Sequence, residues 1–120
     1  MDRLLCDVRC DAGLSRLEYS EKLTEAAKAH AHDLATNIGV LQHEGSDGST
    51  VAERVTRTGY EWQKVAENIA VGYTTTSAVM DGWMNSPPHR ANNLLPGLTH
   101  FGAAAEGDDK YWVLVLAEEK

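Results

Sequence analysis

Tyr111 to Ala117 read YWVLVLA, seven consecutive apolar residues near the C-terminal end of the chain. The run is far too short to cross a bilayer, which takes about 20 residues as a helix. It is rich in β-branched and aromatic residues, which suit strands. A strand wetted on one face would alternate apolar with polar residues. This one does not, so both of its faces must be buried. A strand covered on both sides requires a layer above it and a layer below it, and that requirement limits the fold more than any other feature of the sequence. Just upstream, HFGAAAE supplies small residues suited to a second strand, and GDD supplies the turn between them, so the tail reads as a hairpin. VAENIAVGY, apolar on both sides of a polar pair and closed by a glycine, reads as a third strand-like segment.

The covering layers come from helical patterns. Leu4, Leu5, Val8 and Ala12 keep helical spacing, and Gly13 stops that segment. Ser20 reads as an N-cap with Glu21 in the first turn. Behind it Leu23, Ala27, His30 and Leu34 fall on one stripe, and Gly39 suits the position after the helix. Thr50 followed by Glu53 is a capping box, which predicts a short helix over 51–58 ended by Gly59. Val79, Met80, Trp83 and Met84 form another stripe, and Pro87 disfavours helical geometry at Ser86. The expected architecture is α+β: a three-layer α-β-α sandwich, with a small antiparallel sheet between helices, as one domain over residues 1–120.

A chain of 120 residues buries roughly two-thirds of its unfolded surface, enough for a core without metal or disulfide staples. Its net charge of −7 argues against nucleic acid and anionic membrane surfaces as partners, since both need a basic footprint. No transmembrane segment is present in the pattern. Met1, Asp2 and Arg3 lead straight into an amphipathic segment with no leader pattern. The chain therefore reads either as intracellular or as one whose leader has been removed. Cys6 and Cys10 are one helical turn apart, where a disulfide is strained, so free thiols are expected. They make half a metal site, with no second cysteine pair to complete it.

The candidate chemistry lies in polar residues set among apolar ones. His30 sits on the apolar stripe and reads as a hydrogen-bonded core histidine, whereas His32 faces solvent. His43, before EGSDG, and His89, after SPP, read as loop residues, where functional groups concentrate. Glu67 is a carboxylate in an apolar segment and must have a partner. Backbone amides or Arg90 would be structural partners; a histidine or a metal would be functional ones. Two histidines and a carboxylate form a plausible set for a divalent metal with positions left for water. The chain carries neither HExxH nor GxSxG, and SDGS lacks the ligand spacing of an EF-hand.

Taken in order, AHAHDLA, HEGSDGST, ERVTRTGY, ENIAVG, WMNSPPHRANNLL, FGAAA and YWVLV resemble the CAP superfamily, the group of cysteine-rich secretory, antigen-five and pathogenesis-related proteins that share the SCP domain. The likeness spans about Leu4 to Leu116 and is nearest to the short bacterial branch. It implies an α-β-α sandwich with a surface cleft of two histidines and two acids. His43 matches the first histidine, Glu67 in ENIA the first acid and His89 the second histidine. The second acid is replaced here by Ser86, and Pro88 stands where bacterial relatives usually carry glycine. Family members are typically exported. Some bind zinc or another divalent metal in the cleft, and others bind lipids, sterols or protein partners. The resemblance thus implies a secreted or cell-surface binding module for a small-molecule, lipid or protein ligand. Its cleft is formed by His43, Glu67 and His89, the three tentative metal ligands, with Ser86 and Arg90 on the rim. Two alternatives stand beside this one. The first is a hydrolase of peptide or wall-derived substrates, using Glu67 or His89 as general base on water or Ser86. The second is a structural polar network with no ligand.

Overall fold

In the computed structural model, which describes residues 1–120, the apolar run is the core of strand β4 (Tyr111–Glu119). β4 lies inside a four-stranded sheet of order β1-β3-β4-β2, where β1 is Glu18–Tyr19, β2 is Trp62–Val71 and β3 is His100–Glu106. Its two faces feed two separate cores. Tyr111, Val113, Val115 and Ala117 pack with Leu23, Ala27, Ala31, Leu34 and Val55, from helices α2 (Glu21–Asp33) and α3 (Val51–Arg57) and the turn that follows α2. Leu114 and Leu116 pack with Leu5, Val79, Met80, Trp83 and Phe101, the helical members coming from α1 (Asp2–Asp11) and α4 (Thr76–Met84). The alternation of side chains along a strand thus divides the core, and the fold is an α-β-α sandwich.

The sheet is mixed rather than wholly antiparallel. β2·β4 and β3·β4 are antiparallel, but β1 pairs with β3 in parallel through Glu18↔His100 and Tyr19↔Phe101. Two exposed residues carry no burial pattern, so nothing in the sequence announces β1. The close approach of α2 to β3 depends on Gly102, where a Cβ would come within 2.2 Å of the Thr24 backbone nitrogen.

Several local signals act as the sequence predicts. Ser20 Oγ accepts from the Leu23 amide, and Thr50 with Glu53 closes a full capping box. Gly39, at φ 75°, ends the π-helical turn Leu34–Ile38 that continues α2. One feature departs from expectation. Pro87 and Pro88 do not form a rigid loop but open a further helix, α5 (Pro87–Asn93), with Ser86 at its N-cap. Proline at the first helical positions loses no hydrogen bond and is preset to helical φ. His89 is therefore a first-turn helical residue.

β2 is an edge strand, and alternate carbonyls of such a strand point away from its neighbour. Two of them are satisfied by side chains. Trp83 Nε1 donates to Ile69 O at 3.2 Å, and Asn92 Nδ2 donates to Glu67 O at 3.3 Å.

Candidate functional site

The cleft residues meet at the β2 edge, and two adjacent side chains organise it. Successive side chains of a strand point to opposite faces. Glu67 faces the α2/α3 layer, and Asn68 faces α5.

On the first face the Glu67 side chain is 1% exposed. Burying a carboxylate is tolerable only with charged and hydrogen-bonding partners, and Glu67 has both. Arg54 Nη2 donates to Oε2 at 3.0 Å, and His43 Nδ1 donates to Oε1 at 2.9 Å. The partner of Glu67 is therefore Arg54, not Arg90. Arg54 is itself buried and ties the loop to the sheet. Its Nη2 also donates to His43 O at 2.8 Å, and its Nη1 donates to Ser49 O at 2.8 Å. The capping box starts α3 directly after Ser49, which sets Arg54 in the first turns beside this loop. His30, fully buried as expected, donates through Nε2 to Gln42 O at 2.8 Å and fixes the residue before His43. Burial pushes the His30 imidazole down, against the attraction of the Glu67 charge, and its Nδ1 is left without a partner.

On the second face Asn68, fully buried, holds α5. Its Nδ2 donates to His89 O and to Asn93 Oδ1, both at 2.9 Å, and its Oδ1 accepts from Asn92 Nδ2 at 2.9 Å. Asn93 O in turn accepts from Arg9 Nη1 at 2.9 Å, which clasps α1 to the end of α5. The half-buried His89 pairs through Nδ1 with Ser86 Oγ at 2.7 Å. The dipeptide Glu67–Asn68 thus pins both walls, one from each face of the strand.

The two imidazoles differ in electrostatics. The hydrogen bond to Glu67 raises the His43 pKa, outweighing partial burial. The His89 pKa is lowered, first by burial and then by the charge of the His43 imidazole. A histidine bonded to a carboxylate through Nδ1–H keeps Nε2 as its free lone pair. His43 Nε2 is therefore open. His89 Nε2 is open as a ligand when Nδ1–H donates to Ser86.

These contacts decide how the residues suit a divalent metal. Both Glu67 oxygens are engaged and buried, so Glu67 does not fit as a third ligand; it fits behind His43 as a carboxylate that orients the ring. No group of three or more His, Cys, Asp and Glu side chains converges on one point. The cleft side chains that keep a ring nitrogen free of protein partners are His43 and His89. Arg90 is exposed and lines a separate hollow with Met84, Pro87 and Leu94. Ser86 joins the cleft through His89; Arg90 does not join it. Arg54 also lines a hollow of ≈ 490 Å³ together with Glu25, His32, Asp33, Asp47 and Arg57. The sequence reading missed Arg54, Asn68 and Arg9. For Arg54 a signal existed, since a buried Glu67 demands a base, but no spacing rule joins residues 54 and 67.

A profile of the cysteine-rich secretory protein family, CAP, matches residues 3–117. Among curated proteins, an uncharacterised membrane protein of Bacillus subtilis, YlbC, is 30% identical over 105 residues, covering 88% of this chain and 30% of its own length. A second uncharacterised B. subtilis protein, YkwD, is 30% identical over 100 residues, covering 83% of this chain and 38% of its own. The chain thus spans about a third of the length of these relatives. Among solved structures, an extracellular SCP-domain protein of Bacillus anthracis superposes with TM-score 0.89 at 24% identity, over 99% of this chain and 40% of that one. An outer surface protein of Borrelia burgdorferi superposes with TM-score 0.86 at 22% identity, over 97% and 87%.

Proposed function

Because this chain belongs to the CAP, or cysteine-rich secretory protein, family, we propose that it is a non-enzymatic binding module that uses the cleft at the β2 edge. The module is extracytoplasmic, a reading supported by structural neighbours described as extracellular and as an outer surface protein. No helix is long and apolar enough to cross a membrane. The cleft presents His43 Nε2 and His89 Nε2 to a divalent cation such as zinc, or to a polar ligand group in its place. One observation carries this reading: each ring is held through Nδ1, His43 by Glu67 at 2.9 Å and His89 by Ser86 at 2.7 Å, so both Nε2 atoms are left free. A metal bound there would be a Lewis acid with water in its open positions. This chain's part is to hold two neutral imidazoles, with Glu67 strengthening His43 as a donor and Arg54 balancing the Glu67 charge.

Isothermal calorimetry with zinc tests the reading. In a Cys6→Ser/Cys10→Ser background, which removes the thiols as competing ligands, heat is expected with His43 and His89 intact, none after His43→Ala or His89→Ala, and about 10–100-fold weaker binding after Glu67→Gln. Unchanged heat in both histidine variants, or none with both histidines intact, refutes the metal site.

A hydrolytic reading draws on the Ser86–His89 contact, since a serine hydrogen-bonded to a histidine is the core of a nucleophilic pair. It is the weaker of the two. No carboxylate orients His89, the carboxylate present is bonded to His43, and burial with a neighbouring imidazole lowers the basicity of His89. Peptide and ester substrates assayed against Ser86→Ala separate the readings; turnover lost in that variant would favour hydrolysis.

A further inference from the structure

Away from the cleft, α1 carries a second set of ligating atoms. Cys6, half-buried, and Cys10, exposed, are free thiols with their Sγ atoms 3.5 Å apart. We propose that Cys6 and Cys10 form a two-thiolate site for a tetrahedral divalent ion of the zinc class, separate from the histidine cleft.

Geometry favours chelation over disulfide formation. Residues four apart on a helix keep their Cβ atoms about 5–6 Å apart, whereas a disulfide needs about 3.5–4.5 Å. Oxidation therefore requires this stretch of α1 to unwind, and Arg9, between the two cysteines, resists that. Its fully buried guanidinium donates to Ser15 O, Asn93 O and Leu95 O at 2.8–2.9 Å. The helix thus holds the two thiols adjacent while opposing their closure into a disulfide.

The sulfur separation also selects the ion. With metal–sulfur bonds of about 2.3 Å, sulfurs 3.5 Å apart subtend roughly 100° at the metal, close to tetrahedral. A linear two-coordinate ion with bonds of that length would need its sulfurs about 4.6 Å apart, so the pair suits zinc, cobalt or cadmium better than a linear ion. The hydrogen bond to Cys10 and burial raise the Cys6 pKa, outweighing the opposing pull of Arg16, so an ion must displace thiol protons to bind. Binding exchanges two thiol protons for one divalent ion, both protons passing to solvent, and water fills the remaining positions.

Cobalt(II) is the direct probe, because thiolate ligation gives an intense near-ultraviolet charge-transfer band that histidine and water ligation do not. The reduced full chain is titrated anaerobically alongside Cys6→Ser, Cys10→Ser and the His43→Ala/His89→Ala double variant, with melting curves confirming that each is folded. The band is expected to saturate at one cobalt per chain in the histidine double variant, to appear in the wild type as well, to be lost in each cysteine variant, and to be displaced by zinc. A wild type without the band overturns the proposal. So does a band that survives either single serine substitution, or a ratio of one cobalt to two chains. Air oxidation to an intramolecular disulfide with helical circular dichroism intact would overturn it as well. Loss of the histidine cleft's calorimetric signal leaves this band untouched, so the two sites are judged separately.

Discussion

Replacing Arg54 by Met keeps the bulk of its stem and removes the charge opposite Glu67. The Glu67 side chain is 1% exposed and that of Arg54 6%. Water cannot readily take over from the guanidinium. Removing one member of a buried pair costs about 3–5 kcal/mol, because the other charge is left uncompensated. His43 still donates to Glu67, which keeps the loss near 4 kcal/mol, within the same range. That is a large share of a stability of about 5–15 kcal/mol. For a chain of this size it lowers the melting temperature by roughly 10–20 °C. Urea unfolding followed by tryptophan fluorescence and by circular dichroism measures it, and equal m-values are required for the comparison. The double variant Arg54→Met/Glu67→Gln removes both charges. It should lose at least about 2 kcal/mol less than the sum of the singles, as interacting neighbours do. A loss below about 1 kcal/mol for Arg54→Met, or additivity in the double variant, refutes the claim that Arg54 is the counterion of the cleft.

Three other outcomes follow from the same contacts. The raised His43 pKa means that its protonated form stabilises the fold; that contribution is fully present below about pH 6.5 and lost as pH rises through the higher folded value. The lowered values at His30 and His89 act oppositely, removing stability as pH falls from about 6.5 through their folded values. NMR titration of the ring protons should place His43 above His89 and His30, and the reverse order contradicts the electrostatics. Since a metal needs a neutral His43, zinc affinity should climb with pH up to that raised value. Asn68→Ala removes three hydrogen bonds; it should destabilise by about 3 kcal/mol and weaken zinc binding while leaving the His43 titration in place, which paired denaturation and calorimetry will show. Gly102→Ala drives a methyl into the α2 backbone and should cost about 3 kcal/mol or more, or fail to fold, by the same denaturation assay.

What could be read from the chain depended on how local each cause is. YWVLVLA announced its own burial, and Ser20, Thr50–Glu53 and Gly39 carry cap signals within a few residues. The likeness that pointed to His43, Glu67 and His89 rested on short motifs in fixed order. α5 was hidden because its two prolines suggested a stiff turn, although proline at the start of a helix is equally favourable. Arg54 looked like an ordinary charged residue of a short helix, since its contact with Glu67 exists only after α3 docks on the sheet. Arg9 was missed for the same reason: its acceptors Asn93 O and Leu95 O lie more than 80 residues away. Asn68 was overlooked beside a more conspicuous neighbour, and its role depends on α5.

The side chains that close the β2 edge are made late. Trp83 and Asn92 follow β2 in the chain, and β4, its hydrogen-bonding neighbour, begins about 40 residues after Val71. At about 5–20 residues per second, a growing chain spends several seconds with a ten-residue strand complete and the side that pairs with β4 uncovered. During that interval the strand is an adhesive template for other chains. A chain cut after α5 would have its edge plugs but no β4, and should therefore accumulate as aggregates. If the protein is exported, whatever carries it must hold β2 apart from its copies until the last nine-residue strand arrives.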